Sequence, residues 1–162
     1  MKQEKPKNTF TASVRVRDAI EQDIPHLQMM INALAYHHSD TPQIDTKALK
    51  RDIFGKIPWI YVLVAEIGKN VVGYAALCPL IQLQFGSRGM DMHHLFVEEE
   101  FRGVGVGKTL IEASMQKARN LACKYMTVGT HIDNTDAQAV YLACGFEERH
   151  GSSPRFGISL EL

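Results

Sequence analysis

Hydrophobic positions along the chain switch between two periods, and the switches mark its elements. Ser13 to Arg17 alternates as a strand does, after which Ile24, Leu27, Ile31 and Leu34 recur every three or four residues up to His38. That spacing predicts an amphipathic first helix, with Asp23 placed to cap it. The polar stretch His37 to Asp45 contains Pro42 and reads as a loop, and Asp45 or Thr46 can cap a short second helix carrying Leu49 and Ile53 before Pro58. Trp59 to Ile67 and Val71 to Leu80 are nearly continuous apolar runs joined by Gly68-Lys69-Asn70, the pattern of an antiparallel hairpin that Pro79 closes. After a connection from Ile81 to Ser87, Gly89 to Val97 reads as a further long strand, Thr109 to Ala122 as a helix and Tyr125 to Thr130 as a strand. A short helix over Asn134 to Ala143 and closing strands over Phe146–Arg149 and Phe156–Leu160 complete the series.

Strands interleaved with helices in this order predict an α/β protein with a mixed sheet. The strand, helix and strand between Gly89 and Thr130 form one right-handed crossover, and ligands favour the carboxyl ends of such strands. A glycine-rich turn, Arg102-Gly103-Val104-Gly105-Val106-Gly107-Lys108-Thr109, lies at that place. A helix opened by glycines leaves its first N–H groups free for an anion such as pyrophosphate. Spacing decides among three kinds of phosphate loop. In a P-loop the first glycine would fall on Arg102, and in the dinucleotide fingerprint the third glycine would come one residue later than Gly107. The pattern Q/R-x-x-G-x-G/A fits Arg102 to Gly107; taken alone, so does a plain tight turn.

Composition narrows the function classes. The chain has 162 residues, enough for one core without staples, and its first dozen are polar and lysine-rich. We expect a flexible tail over residues 1–12 and a single domain over 13–162. Eighteen basic and eighteen acidic residues cancel, so neither nucleic acid nor an anionic membrane is an expected partner. Cys78, Cys123 and Cys144 are odd in number, widely spaced and set among apolar residues, as in a reduced, cytoplasmic protein. No apolar run approaches the length of a transmembrane span, and no histidine or cysteine spacing suggests a metal site.

A second motif, N-x-x-A-x-x-x-Y-x-x-x-G-F, occupies Asn134 to Phe146, about 30 residues beyond the glycine turn, and puts Ala137 and Tyr141 on one helix face. The two motifs together resemble the GCN5-related N-acetyltransferases, and the likeness runs from Val14 to Leu160. That resemblance implies a mixed, mostly antiparallel sheet of six or seven strands with splayed central parallel strands, and about four helices. It also implies acetyl-CoA as co-substrate, without a metal, and a homodimer. The backbone of Leu95, Phe96 and Val97 would meet pantetheine. Arg102 and the N–H groups of Gly103, Val104, Gly105, Val106, Gly107 and Lys108 would hold the pyrophosphate. Asn134 would meet a pantetheine amide, although by type alone it serves equally as a helix cap.

Acyl transfer to an amine requires a neutral nucleophile, an oxyanion stabiliser and a proton for the departing thiolate. Tyr141, a phenol with an ordinary pKa near 10, is the candidate acid, and strand N–H groups near Leu95 and Phe96 are candidate oxyanion donors. The layout of the first helix and hairpin also resembles the diamine acetyltransferases, which carry a glutamate four residues before the final valine of this strand. Here that position is His93, the candidate base, with His94 expected on the opposite face unless a bulge intervenes. His37, His38, Asp40, Gln82, Gln84, Phe85 and His131 are weaker candidates for the acceptor pocket. The function expected is acetyl transfer to a primary amine of a small molecule by direct attack in a ternary complex. An acyl-CoA sensor without turnover and a protein or peptide N-acetyltransferase are the alternatives.

Overall fold

A computed structural model of the chain describes residues 13–149 and 158–160. The chain divides into two compact units, one ending at Gly129 and one beginning at Thr130.

The first unit is a five-stranded sheet with three helices: β1 (Val14–Asp18), α1 (Ile24–His37), α2 (Thr46–Phe54), β2 (Tyr61–Ile67), β3 (Asn70–Gln82), β4 (Ser87–Val97), α3 (Val106–Asn120) and β5 (Tyr125–Val128). Strand order follows the sequence; the first three pairings are antiparallel, and β4 pairs with β5 in parallel. The apolar runs in β2 and β3 are continuous because both faces of the sheet are covered. Leu27 and Met30 of α1 pack on Val62, Val64, Tyr74, Ala76 and Phe96. On the other face α3 buries Val106, Leu110 and Ile111, and a Cβ at Gly73 would lie 3.4 Å from the Leu110 side chain. Ser114 of α3 is fully buried, and its hydroxyl donates to the Leu110 carbonyl at 2.7 Å, so no polar group is stranded there.

Several expectations shift. Asp23 does not cap α1 with its side chain; it ends a short 3-10 turn, Glu21–Asp23. Its carboxylate accepts from Arg17 at 2.7 and 3.0 Å and from the Ile20 N–H at 2.8 Å. Pro79 does not close β3, which continues to Gln82. The β2 ladder stops at Leu77, so the missing N–H of Pro79 falls on a stretch bonded only to β4. Helix α3 starts at Val106, three residues before Thr109, because Gly105 at φ +94° turns the chain directly into it.

The second unit holds the fourth helix, α4 (Thr135–Ala143). Phe146–Arg149 is irregular and not the expected strand. Of Phe156–Leu160, residues 156 and 157 lie outside the described residues and 158–160 form no strand, so the described sheet has five strands where six or seven were expected. The expected tail over 1–12 also lies outside the described residues.

Candidate active site

The β4–β5 ladder ends at Met92 opposite Val128, while β4 runs on to Val97. From His93 to Val97 the edge of β4 away from β3 therefore has no strand partner within this unit, and alternate N–H and C=O groups there remain to be satisfied. Leu95 and Phe96, the expected oxyanion donors, lie on this stretch. On the β3 side the register changes abruptly: Ala76 pairs with His94, but Leu77 pairs with Met92. His93 is the extra residue of a β-bulge.

The bulge cancels the alternation that would have sent His93 and His94 to opposite faces. Their rings stack with centroids 4.4 Å apart and planes 15° from parallel. His93 is exposed and His94 half-buried. The Tyr74 hydroxyl lies 3.0 Å from Nδ1 of His94, and Tyr74 is almost wholly buried. Burial, with the nearby imidazoles of His93 and His38 adding to it, pushes the His94 pKa down to about 4. That ring is neutral at physiological pH.

Beyond Val97 the chain makes a 3-10 turn at Glu99–Phe101 and then the glycine turn. Gly103 and Gly105 have φ of +77° and +94°, which side chains resist. The first bond of α3 runs from the Thr109 N–H to the Gly105 carbonyl at 3.0 Å. The N–H groups of Val106, Gly107 and Lys108 precede it and have no acceptor in the helix. Gly103, Val104 and Gly105 are exposed, whereas the Val106 side chain is buried and anchors the turn from below. The helix dipole adds positive potential, and Lys108 is exposed beside it, 3.8 Å from Glu112. An anion with several oxygens fits this donor set. Arg102 folds back: its Nε donates to the Val97 carbonyl at 2.9 Å, and its guanidinium carbon lies 5.9 Å from the Phe96 ring centroid. Of Val97's two backbone groups, the carbonyl is thus already engaged.

In the second unit, the Asn134 side-chain oxygen accepts from the Ala137 N–H at 3.2 Å. It caps α4 as its residue type allows, and its amide NH₂ remains the group available to a ligand. Tyr141 packs edge-on against Phe146 with centroids 5.9 Å apart, and burial raises its pKa. His131 sits 3.5 Å from Asp133.

Sequence reasoning singled out His93 but passed over Tyr74 and gave His94 no role. The available signal was Tyr74 itself, a lone hydroxyl inside the apolar run Val71 to Leu80. Gln82, Gln84 and Phe85 form the far end of the β3–β4 hairpin, six or more residues from His93, or roughly 20 Å along the strand. Within this chain they stand apart from the His93 site. Among the described residues, no group of three or more His, Cys, Asp or Glu could hold a metal ion. No helix among them is long and apolar enough to cross a membrane.

Residues 29–146 match the acetyltransferase (GNAT) family. The thialysine N-epsilon-acetyltransferase of Sus scrofa is 31% identical over 144 residues, covering 83% of this chain and 84% of that protein. Among solved structures, a probable acetyltransferase superposes with a TM-score of 0.80 at 24% identity, covering 91% of this chain and 99% of the other. An aminoglycoside N-acetyltransferase in complex with CoA gives 0.73 at 21% identity, covering 92% and 97%. At these identities the two structures speak to the fold.

Proposed function

The chain belongs to the acetyltransferase (GNAT) family and is an acetyl-CoA-dependent N-acetyltransferase, and from that premise we propose that it acetylates the primary amine of a small aminoalkyl acceptor of the thialysine kind. The observation that carries the proposal is the sequence of backbone donors along one path. The single-sided stretch His93–Val97 leads into the glycine turn, and that turn opens α3 with unpaired N–H groups. An extended pantetheine arm terminated by a pyrophosphate suits that path, an amide-rich chain beside a strand edge and an anion at a helix start. Acetyl-CoA supplies the activated thioester.

In this reading the acceptor nitrogen attacks the thioester carbonyl directly, the C–N bond forms, the C–S bond breaks and the thiolate leaves. His93 takes a proton from the acceptor amine, and N–H groups near Leu95 and Phe96 stabilise the oxyanion. Tyr141 returns a proton to the departing sulfur, and Asn134 offers its amide NH₂ to pantetheine. We treat residues 13–162 as one catalytic domain, in support of which the family match crosses the division at Gly129. We also propose a cytoplasmic homodimer, which sedimentation and cell fractionation would test.

The deciding experiment offers acetyl-CoA with a broad panel of amines, including thialysine, and identifies products by mass. An acetylated small amine supports the proposal. Tight acetyl-CoA binding with no product across the panel refutes it and leaves an acyl-CoA sensor; acetylated peptides alone would move the acceptor class to proteins.

A further inference from the structure

We propose that Tyr74 and His94 are positioning residues for His93: the buried Tyr74 hydroxyl donates to Nδ1 of His94 and fixes that ring as the Nε2–H tautomer, and the fixed ring carries the stacked imidazole of His93. The inference rests on the reading of His93 as proton acceptor. Its basis is geometric. A buried phenolic hydroxyl needs a partner, and the one recorded for Tyr74 is Nδ1 of His94 at 3.0 Å. Were Nδ1 to carry the proton, it would donate to the phenol oxygen and leave the buried Tyr74 O–H without an acceptor, so the hydroxyl donates and Nδ1 accepts. The His94 proton then sits on Nε2.

Without the bulge, His93 would lie on the other face of the sheet, away from His94. With it, the exposed ring lies flat on a ring locked from below, and the face it rests on is uncharged. The groups acting on His94 are Tyr74 from β3, His93 from β4 and His38 from the end of α1; all are phenol or imidazole. A proton accepted by His93 during the reaction therefore meets a neutral neighbour. Were His94 charged, two stacked cations would oppose that step.

The test combines a spectrum with kinetics. In histidine 15N spectra of the substrate-free protein, His94 should show the Nε2–H tautomer, and Tyr74→Phe should lose that preference. Tyr74→Phe should keep its KM for acetyl-CoA and lose about tenfold in turnover near neutral pH, with the loss growing toward pH 5 as His94 becomes easier to charge. His94→Phe, which keeps a flat neutral ring beneath His93, should retain more turnover than His94→Ala, a difference that a purely structural role would not produce. Equal turnover and equal pH profiles for Tyr74→Phe and the native protein would overturn the proposal, as would an Nδ1–H tautomer in the native spectrum. Full activity in His93→Ala would sink the base reading and this proposal with it. An Nε2–H spectrum would then show that the failure lies in the chemistry and not in the geometry.

Discussion

His93 and Tyr141 are asked to move protons in opposite directions, so their variants should fail differently with pH. In His93→Ala, turnover should fall most near neutral pH, by about 10²-fold, and recover at high pH where the free amine needs no base. A uniform loss at every pH would assign His93 to substrate placement instead. In the proposed acid role Tyr141 would act in its protonated form, and burial raises its pKa above the ordinary phenol value. The native enzyme should therefore keep its acid throughout the range below pH 10. Tyr141→Phe should lower kcat by about 10²-fold while leaving the KM for acetyl-CoA near its native value. Native kcat in that variant would remove Tyr141 from the acid role.

At the scale of elements, the glycine turn and α3 act together, because the N–H donors exist only while the turn holds its left-handed corners. Gly105→Ala should cost about 1 to 2 kcal/mol at φ +94° and raise the KM for acetyl-CoA by roughly tenfold. With S-acetylpantetheine as donor, which lacks the pyrophosphate, native and variant proteins should turn over alike; a shared defect there would mean that the turn supports the sheet and not the phosphates. This turn was legible in the sequence because glycine spacing reports backbone geometry directly. So were the four helices and the five described strands, α1 through its three-to-four-residue spacing and β2 and β3 through continuous apolar runs. The bulge at His93 was not, because an extra residue in a ladder shows only against its partner strand, and nothing in Met90 to Val97 marks which residue that is. Pro79 misled for a related reason: its meaning depends on where β2 stops. The closing strand expected over Phe146–Arg149 rested on residue types alone, and the described chain there is irregular.

Across the molecule, the same buried groups that shape the site also tie its stability to pH. His94 is neutral in the folded state with its pKa pushed down to about 4, whereas an imidazole in the unfolded chain takes a proton near 6.5. Between those values the unfolded state binds the extra proton. The contribution of His94 is therefore present above about 6.5 and lost as the pH falls toward 4, on the order of 2 kcal/mol after allowance for partial exposure. Asp23 acts in a lower window. Burial alone would raise its pKa, but the Arg17 guanidinium and the Ile20 N–H outweigh that and hold it below the usual carboxylate value. Its contribution persists at and above about pH 4 and disappears only as the pH falls further. Arg17 also bonds Glu66 through Nε at 2.7 Å, so one guanidinium joins β1, the turn before α1 and β2. Thermal midpoints followed by circular dichroism should decline in two steps on acidification. His94→Phe should flatten the step between pH 6.5 and 4 and leave the lower one. Arg17→Met should lower the midpoint at neutral pH, by the equivalent of about 3 kcal/mol, because it strands the buried Asp23 carboxylate. Below pH 4 the penalty should shrink as Asp23 takes up a proton, so an Arg17→Met deficit that stayed constant from pH 7 to pH 3 would refute the charge-pairing account.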